Sequence, residues 1–181
     1  IKKIRELVEN DGIDAIVFED YDKGVISPQL IKTVTGLARK HDVPVAVDPK
    51  KKNFGLYSGV KLIKPNLKEL REGLNLNGEL SDPLQLSKAV NTLQEKLGVD
   101  TVLATLSEKG IYYSHREPDG KLITGSIPAY TRDVADVSGA GDTVISLAAL
   151  CVAAGAPVDI LARICNLGGG LVCERVGVVP V

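Results

Sequence analysis

The sequence predicts an α/β fold: a mostly parallel sheet with helices on both faces, three αβα layers in all. Two observations predict it. Short apolar runs of strand length alternate with longer runs whose apolar residues recur at helical spacing. The segments that follow the strand-like runs are polar and charged, as expected where one edge of a parallel sheet gathers the loops at its carboxyl ends. Length and composition agree with a single ordinary globular domain, since 181 residues are 44% hydrophobic and 25% charged.

The elements follow in order. Ile1, Ile4, Leu7 and Val8 share one helical face at the start. Residues 14–18 form a first apolar strand. Ser27-Pro28 is an N-cap followed by a first-turn proline, and opens a helix carrying Leu30, Ile31, Val34, Leu37 and Ala38 on one face. Residues 44–47 and 60–63 are the next strands. Asn66 opens a short helix. Asp82-Pro83 opens a longer one, with Leu86, Ala89, Val90, Leu93 and Leu97 at helical spacing and Gly98 closing it. Residues 101–105 are a strand. Residues 110–114 and 121–127 flank the turn Pro118-Asp119-Gly120 and read as later, antiparallel strands. Two helices, about 141–154 and 158–175, end the chain.

Asp136-Val137-Ser138-Gly139-Ala140-Gly141-Asp142 opens the first of these two, an apolar run expected to be buried and to stop at Gly155, with Pro157 beyond it. Glycines let the backbone approach a ligand closely. The first amides of a helix lack intrahelical partners and carry its positive dipole end, so a phosphate binds there through backbone alone. Asp142 falls in the first turn, where a carboxylate can take a proton from a nucleophile attacking that phosphate. A glycine loop with an Asp capping a core helix is the plainer alternative.

Composition narrows the classes. A net charge of −1 gives no basic footprint for nucleic acid. The longest apolar run is too short to cross a membrane. Cys151, Cys165 and Cys173 lie in apolar helical runs and read as core thiols of a reducing compartment, which points to the cytoplasm. His41 and His115 are isolated, which argues against a Ser-His-Asp or His-based zinc site. Met is absent and the chain opens inside a helical pattern, so it is expected to be part of a longer domain, spanned here by residues 1–181.

Other polar positions cluster after the strands. Residues 19–24, 48–50, 64–69 and 106–110 follow successive strands and converge on one sheet edge with the Gly-Ala-Gly-Asp stretch. Asn66 and Glu69 form a capping box by spacing alone. Residues 107–110 fit a plain turn, and Asn166 fits a polar helix position. Gly168-Gly169-Gly170 costs about 1 kcal/mol each inside a helix relative to Ala. Either the helix breaks there or a neighbour must come close.

Asp-x-Ser-Gly-Ala-Gly-Asp, late in an α/β chain and opening an apolar helix, resembles the signature of the ribokinase-like (PfkB) carbohydrate kinases. Glu19-Asp20-Tyr21-Asp22-Lys23-Gly24, Asp48-Pro49-Lys50, Pro65-Asn66-Leu67-x-Glu69 and Leu106-Ser107-Glu108-Lys109-Gly110 precede it in the order found in that family's heptose 7-phosphate kinase branch, one domain of bifunctional ADP-heptose synthases. Ser107 stands where the family usually has Gly, and matches that branch. The resemblance covers the later, nucleotide-binding part of such a domain; the early sugar-binding strands and lid are not in this sequence.

The resemblance implies ATP-dependent phosphorylation of D-glycero-β-D-manno-heptose 7-phosphate at O1, in the biosynthesis of ADP-heptose for lipopolysaccharide. It implies Asp142 as general base, with the amides of Gly139, Ala140 and Gly141 facing the transferring phosphoryl group. Asn66, Glu69, Ser107, Glu108, Gly110 and Asn166 would lie near the nucleotide, with Glu69 organising Mg2+ through water. Lys23 and Lys50 are the cations available to a sugar phosphate, and the Asp136 loop could hold a monovalent cation. A nucleotidyltransferase domain is expected in the full protein, and a bared sheet edge would favour homo-oligomers. Two alternatives stay open: another ribokinase-like sugar or nucleoside kinase, and a nucleotide-binding module inactive by itself.

Overall fold

Strands Ile16–Glu19 (β1), Val45–Asp48 (β2), Leu62–Ile63 (β3) and Thr101–Thr105 (β4) lie side by side and parallel in the computed structural model, which describes residues 1–80, 82–130 and 134–179. Ile111–Arg116 (β5) and Leu122–Ile127 (β6) extend the sheet antiparallel, as the turn between them predicted. Strand order in space equals strand order in the chain, with β1 and β6 at the edges. Right-handed crossovers between neighbouring parallel strands then send every connecting helix to the same face. Helices Pro28–Lys40 (α2), Leu67–Gly73 (α3) and Pro83–Leu97 (α4) cover that face, while Ala140–Ala153 (α5) and Val158–Cys173 (α6) cover the other. The opening helix, Lys2–Glu6 (α1), continues into one wider π turn over Leu7–Asp11.

Side-chain alternation along the strands divides the core accordingly. Phe18, Val45, Val47, Ile63, Val102 and Ala104 pack with α2, α3 and α4. Ala46, Leu62, Leu103 and Ile111 pack with α5 and α6. The strand expected over 60–63 shortens to two residues for the same reason. Val60 packs with the first group and Leu62 with the second, so the chain turns between them instead of running straight. The first strand starts at Ile16, where pairing with Val45 begins.

Helix ends follow the local chemistry. Ser27 Oγ accepts from the Leu30 amide at 3.2 Å with Pro28 in the first turn, and Asp82 caps Gln85 at 3.1 Å. Gly98 ends α4 in the left-handed conformation, φ 62°.

The closing helices differ in one respect from expectation. Helix α5 is not buried all round: Ile145 and Ala148 are fully inside, but Leu150 is 67% exposed, because α5 belongs to an outer layer and only its sheet and α6 faces are covered. Helix α6 runs unbroken through Gly168, Gly169 and Gly170, so close approach is the reason for the glycines. A Cβ at Gly168 would run into Leu147 of α5, and one at Gly170 into the Tyr130 carbonyl oxygen. Cys151 and Cys165 are buried and Cys173 half-buried, and burial pushes the Cys165 thiol up to about 12. No helix among the described residues is long and apolar enough to cross a membrane.

Two glycine substitutions should act in opposite directions. Gly170→Ala forces a methyl into backbone and should destabilise the chain by about 3 kcal/mol. Gly36→Ala, inside α2 with open space around it, should stabilise it by about 0.5–1 kcal/mol. Urea denaturation of both variants beside the parent checks the pair; equal effects would contradict this account of α6.

Candidate active site

The site follows from continuing the strand alternation one step past each carboxyl end. Glu19 is two residues after Val17, Asp48 two after Ala46 and Lys64 two after Leu62. Glu19 pairs with Asp48 in the parallel register, and Lys64 follows the Val47–Ile63 pair. All three side chains therefore project to the α5 face. Gly139 (φ 79°) turns the chain into α5, so that the helix opens over them. Asp142 lies in its first turn, and one carboxylate oxygen each of Glu19, Asp48 and Asp142 lie within 4.8 Å of one another. Lys64 Nζ is 3.0 Å from Asp48 Oδ2, with both side chains buried. The Ala140 amide donates to Val137 O at 3.3 Å, whereas the Gly141 and Asp142 amides have no backbone acceptor among the described residues. Of the three amides expected to face a phosphoryl group, Ala140's is thus already engaged.

Electrostatics in this group are unbalanced. Three carboxylates face one buried ammonium, and Glu19 Oε1 and Asp48 Oδ1 are buried without a hydrogen-bond partner. Burial pushes the Glu19 carboxyl above its ordinary value, and its contact with Asp142 and the charge of Asp48 add to this. Burial also raises Asp48, against the opposing pull of Lys64 and Lys50. Hard oxygen donors with unfilled lone pairs beside a helix N-terminus suit a divalent cation carrying phosphates.

The loop after β1 is fixed from beneath. Asp20 points to the opposite face from Glu19, is buried, and accepts from Asn53 Nδ2 at 2.9 Å and Tyr57 Oη at 2.8 Å. Its other oxygen takes the Asp22 amide at 2.9 Å, which holds Asp22 at φ 52°. Between these two anchors, Tyr21 reaches across and donates its phenol to Asp142 Oδ2 at 2.9 Å.

The residues expected near a nucleotide form a row along the ends of β3, β4 and β6. Asn66 bridges to Thr105 at the end of β4, which places it beside the turn of Ser107, Glu108 and Lys109. Asn66 and Glu69 make the capping box in full: Asn66 Oδ1 accepts from the Glu69 amide at 2.8 Å, and Glu69 Oε2 accepts from the Asn66 amide at 2.9 Å. Ser107 adopts φ 54°, the left-handed region that favours Gly at this position. At Gly110 (φ 90°) a Cβ would run into the Ile127 carbonyl. Asn166 Nδ2 donates to Pro128 O at 2.9 Å and so ties α6 to the end of β6.

The two lysines separate. Lys50 is paired with Glu69 Oε1 and lies 3.8 Å from Asp48 Oδ1, joining the nucleotide row to the acidic group. Burial pulls its ammonium down, but the Glu69 bond and the nearby charges outweigh that and hold it above the ordinary lysine value. Lys23 is exposed on the β1 loop. Asp136 accepts from Gly177 N at 3.0 Å and from Ser138 Oγ at 2.8 Å, closing the loop before α5 onto the segment after α6. Those bonds, Gly177 first, hold its carboxyl below the usual range.

Sequence reasoning gave roles to Asp142, Asn66, Glu69 and Lys50, whereas Glu19, Asp48, Lys64 and Tyr21 figured only as members of the strand-end loops 19–24, 48–50 and 64–69. The first three carried a signal: a charged residue continuing the apolar alternation at a strand's carboxyl end. Tyr21 carried none. Because Glu19 is raised above its unfolded value, its stabilising contribution is present below the ordinary carboxylate range and is lost as pH rises through the raised value. Glu19→Gln should therefore raise Tm at pH 7, and that gain should vanish near pH 3; a gain independent of pH would remove the charge explanation.

Comparison with known proteins matches residues 13–180 to the model of the pfkB family carbohydrate kinases. Among curated relatives, the bifunctional protein HldE of Granulibacter bethesdensis is 39% identical over 165 residues, 90% of this chain and 34% of that protein. HldE of Syntrophotalea carbinolica is 36% identical over 176 residues, 96% of this chain and 35% of the relative. The chain thus spans about a third of the length of these relatives. Among solved structures, the tetrameric inhibited form of Escherichia coli phosphofructokinase-2 superposes with TM-score 0.79 at 20% identity, over 96% of this chain and 56% of that one. Arabidopsis thaliana ribokinase, complexed with ribose and ATP, gives 0.77 at 24%, over 98% and 54%. These likenesses show a shared ribokinase-like fold, and with the family match they establish that the chain belongs to the pfkB family of carbohydrate kinases.

Proposed function

We propose that this chain is the nucleotide-binding part of an ATP-dependent sugar kinase, with a heptose 7-phosphate as the phosphoryl acceptor. The observation that carries the reading is the placement of Asp142, in the first turn of α5, directly over Glu19, Asp48 and Lys64. The acceptor class rests on the relatives: proteins named HldE match over nine-tenths of this chain. Their bifunctional description, with two-thirds of their length outside the match, supports a second domain in the full protein.

The chemistry assigned to these residues is in-line phosphoryl transfer, in which positioning and electrostatics do most of the catalysis. Asp142 takes the proton of the attacking sugar hydroxyl. The Gly139 and Gly141 amides at the α5 N-terminus face the transferring phosphoryl group and stabilise charge on it. Lys64, 3.0 Å from Asp48 Oδ2, opposes the effect of burial on that carboxyl and aligns it beneath them. Asp48, and Glu69 through water, would hold Mg2+, which would supply neutralisation of phosphate charge. The row of Asn66, Ser107, Glu108, Gly110 and Asn166 borders the nucleotide. Lys23, exposed beside Tyr21, is the cation assigned to the sugar's phosphate, and Lys50 holds Glu69 in place. The outer edge of β1 is where further strands of the kinase domain would add.

Replacing the base gives the test. In the full-length protein, Asp142→Asn should lower kcat with ATP and heptose 7-phosphate by ~10²–10⁴-fold and leave ATP affinity, measured by calorimetry, nearly unchanged. A variant within a few-fold of the parent would take Asp142 out of this role. Turnover of other sugars or nucleosides in preference to heptose 7-phosphate would correct the acceptor.

A further inference from the structure

Tyr21 lies outside the Asp-x-Ser-Gly-Ala-Gly-Asp stretch and has no role assigned to it above. The residue is 54% exposed, so burial does not explain its place. Its phenol nevertheless crosses from the β1 loop to Asp142 Oδ2 at 2.9 Å. The backbone on either side is held independently of the ring. The Asp20 amide donates to Asp48 O at 3.1 Å, and the Asp20 carboxylate fixes Asp22 while gripping Asn53 and Tyr57. The loop therefore presents Tyr21 to Asp142 from a rigid base, in a group already crowded with negative charge from Glu19 and Asp48.

We propose that Tyr21 is a positioning residue for phosphoryl transfer: its phenol fixes the Asp142 carboxylate so that the carboxylate meets the acceptor hydroxyl in one orientation. This rests on the reading of Asp142 as the base. Without the phenol, Asp142 keeps only its contact with Glu19, another carboxyl, which does not by itself fix one orientation. A hydrogen bond to a charged group is among the stronger ones. The same bond is the largest cause pushing the Tyr21 phenol up to about 12, which agrees with a phenol that stays protonated and donates at neutral pH.

The test is a double-mutant cycle in the full-length protein with ATP, Mg2+ and heptose 7-phosphate. Tyr21→Phe should lower kcat by about 10-fold or more, the scale of one hydrogen bond to a charged group, with KM for both substrates within about twofold and Tm nearly unchanged. In an Asp142→Asn background the same substitution should cost almost nothing, because both act through one carboxylate. An equal loss in both backgrounds, or a raised KM for the sugar with kcat unchanged, would overturn the proposal and make Tyr21 a substrate contact. Parent-like turnover by Asp142→Asn alone would instead overturn the base reading, and this proposal with it. A second readout avoids turnover altogether. In tyrosinate absorbance titrations of the same protein, Asp142→Asn should bring one tyrosine to a lower pH, and Tyr21→Phe should remove that one. No change in the titration would show that the phenol does not hold Asp142 in solution.

Discussion

Lys64 Nζ and Asp48 Oδ2 lie 3.0 Å apart with almost no side-chain surface left to water, and much of the site depends on this pair. Desolvating two charges costs several kcal/mol per ion, which their attraction offsets only with good geometry and further hydrogen bonds. Here one Asp48 oxygen is left without a hydrogen bond. Such a pair is poor as a stability device. Its position explains it better: Lys64 is the only fully buried ammonium among the described residues, and it lies beneath the opening of α5, where an added Cβ at Gly141 would come within 3.6 Å of its Nζ. The ammonium and the α5 N-terminus thus lie on either side of one small space, which the carboxylates of Glu19, Asp48 and Asp142 also border.

Around this pair the sheet acts as a ruler. Parallel register brings the carboxyl ends of β1, β2 and β3 level, and alternation gives each end one residue toward each face. Toward α5 go Glu19, Asp48 and Lys64. Toward the other face goes Asp20, which does not face the acidic group but organises the loop that carries Tyr21. Two consecutive acidic residues thus do different jobs because a strand sends neighbours to opposite sides. One is crowded by carboxylates and raised; the other is satisfied by Asn53, Tyr57 and a backbone amide.

Several residues proposed for the site also have structural work of their own. Asn66 and Glu69 complete a capping box, and Glu69 also holds Lys50, which stands between it and Asp48. Asn166 anchors α6 to Pro128. Gly110 is required by packing against Ile127. A position of this kind looks ordinary in either description alone, which is why a cap or a turn was an adequate reading of each before the fold was known.

Local chemistry made much of the fold legible. The caps at Ser27 and Asp82, the left-handed stop at Gly98, the β5–β6 turn and the glycine loop before α5 are all decided within a few residues, so their sequence determines them. Helical and strand periodicity determined the layers, because burial of one face is a property of spacing. Family resemblance added the expectation of a base at Asp142 and of a nucleotide row from Asn66 to Asn166. The tertiary structure alone decided the rest. It settled that Val60 and Leu62 face different cores, that the α6 glycines admit Leu147 and the Tyr130 carbonyl, and that Lys50 joins Glu69 instead of standing free. It also brought Tyr21 to Asp142 across 121 positions of chain. Contacts of that range depend on register, crossover hand and the angle at which a helix meets the sheet, and no short stretch of sequence contains those.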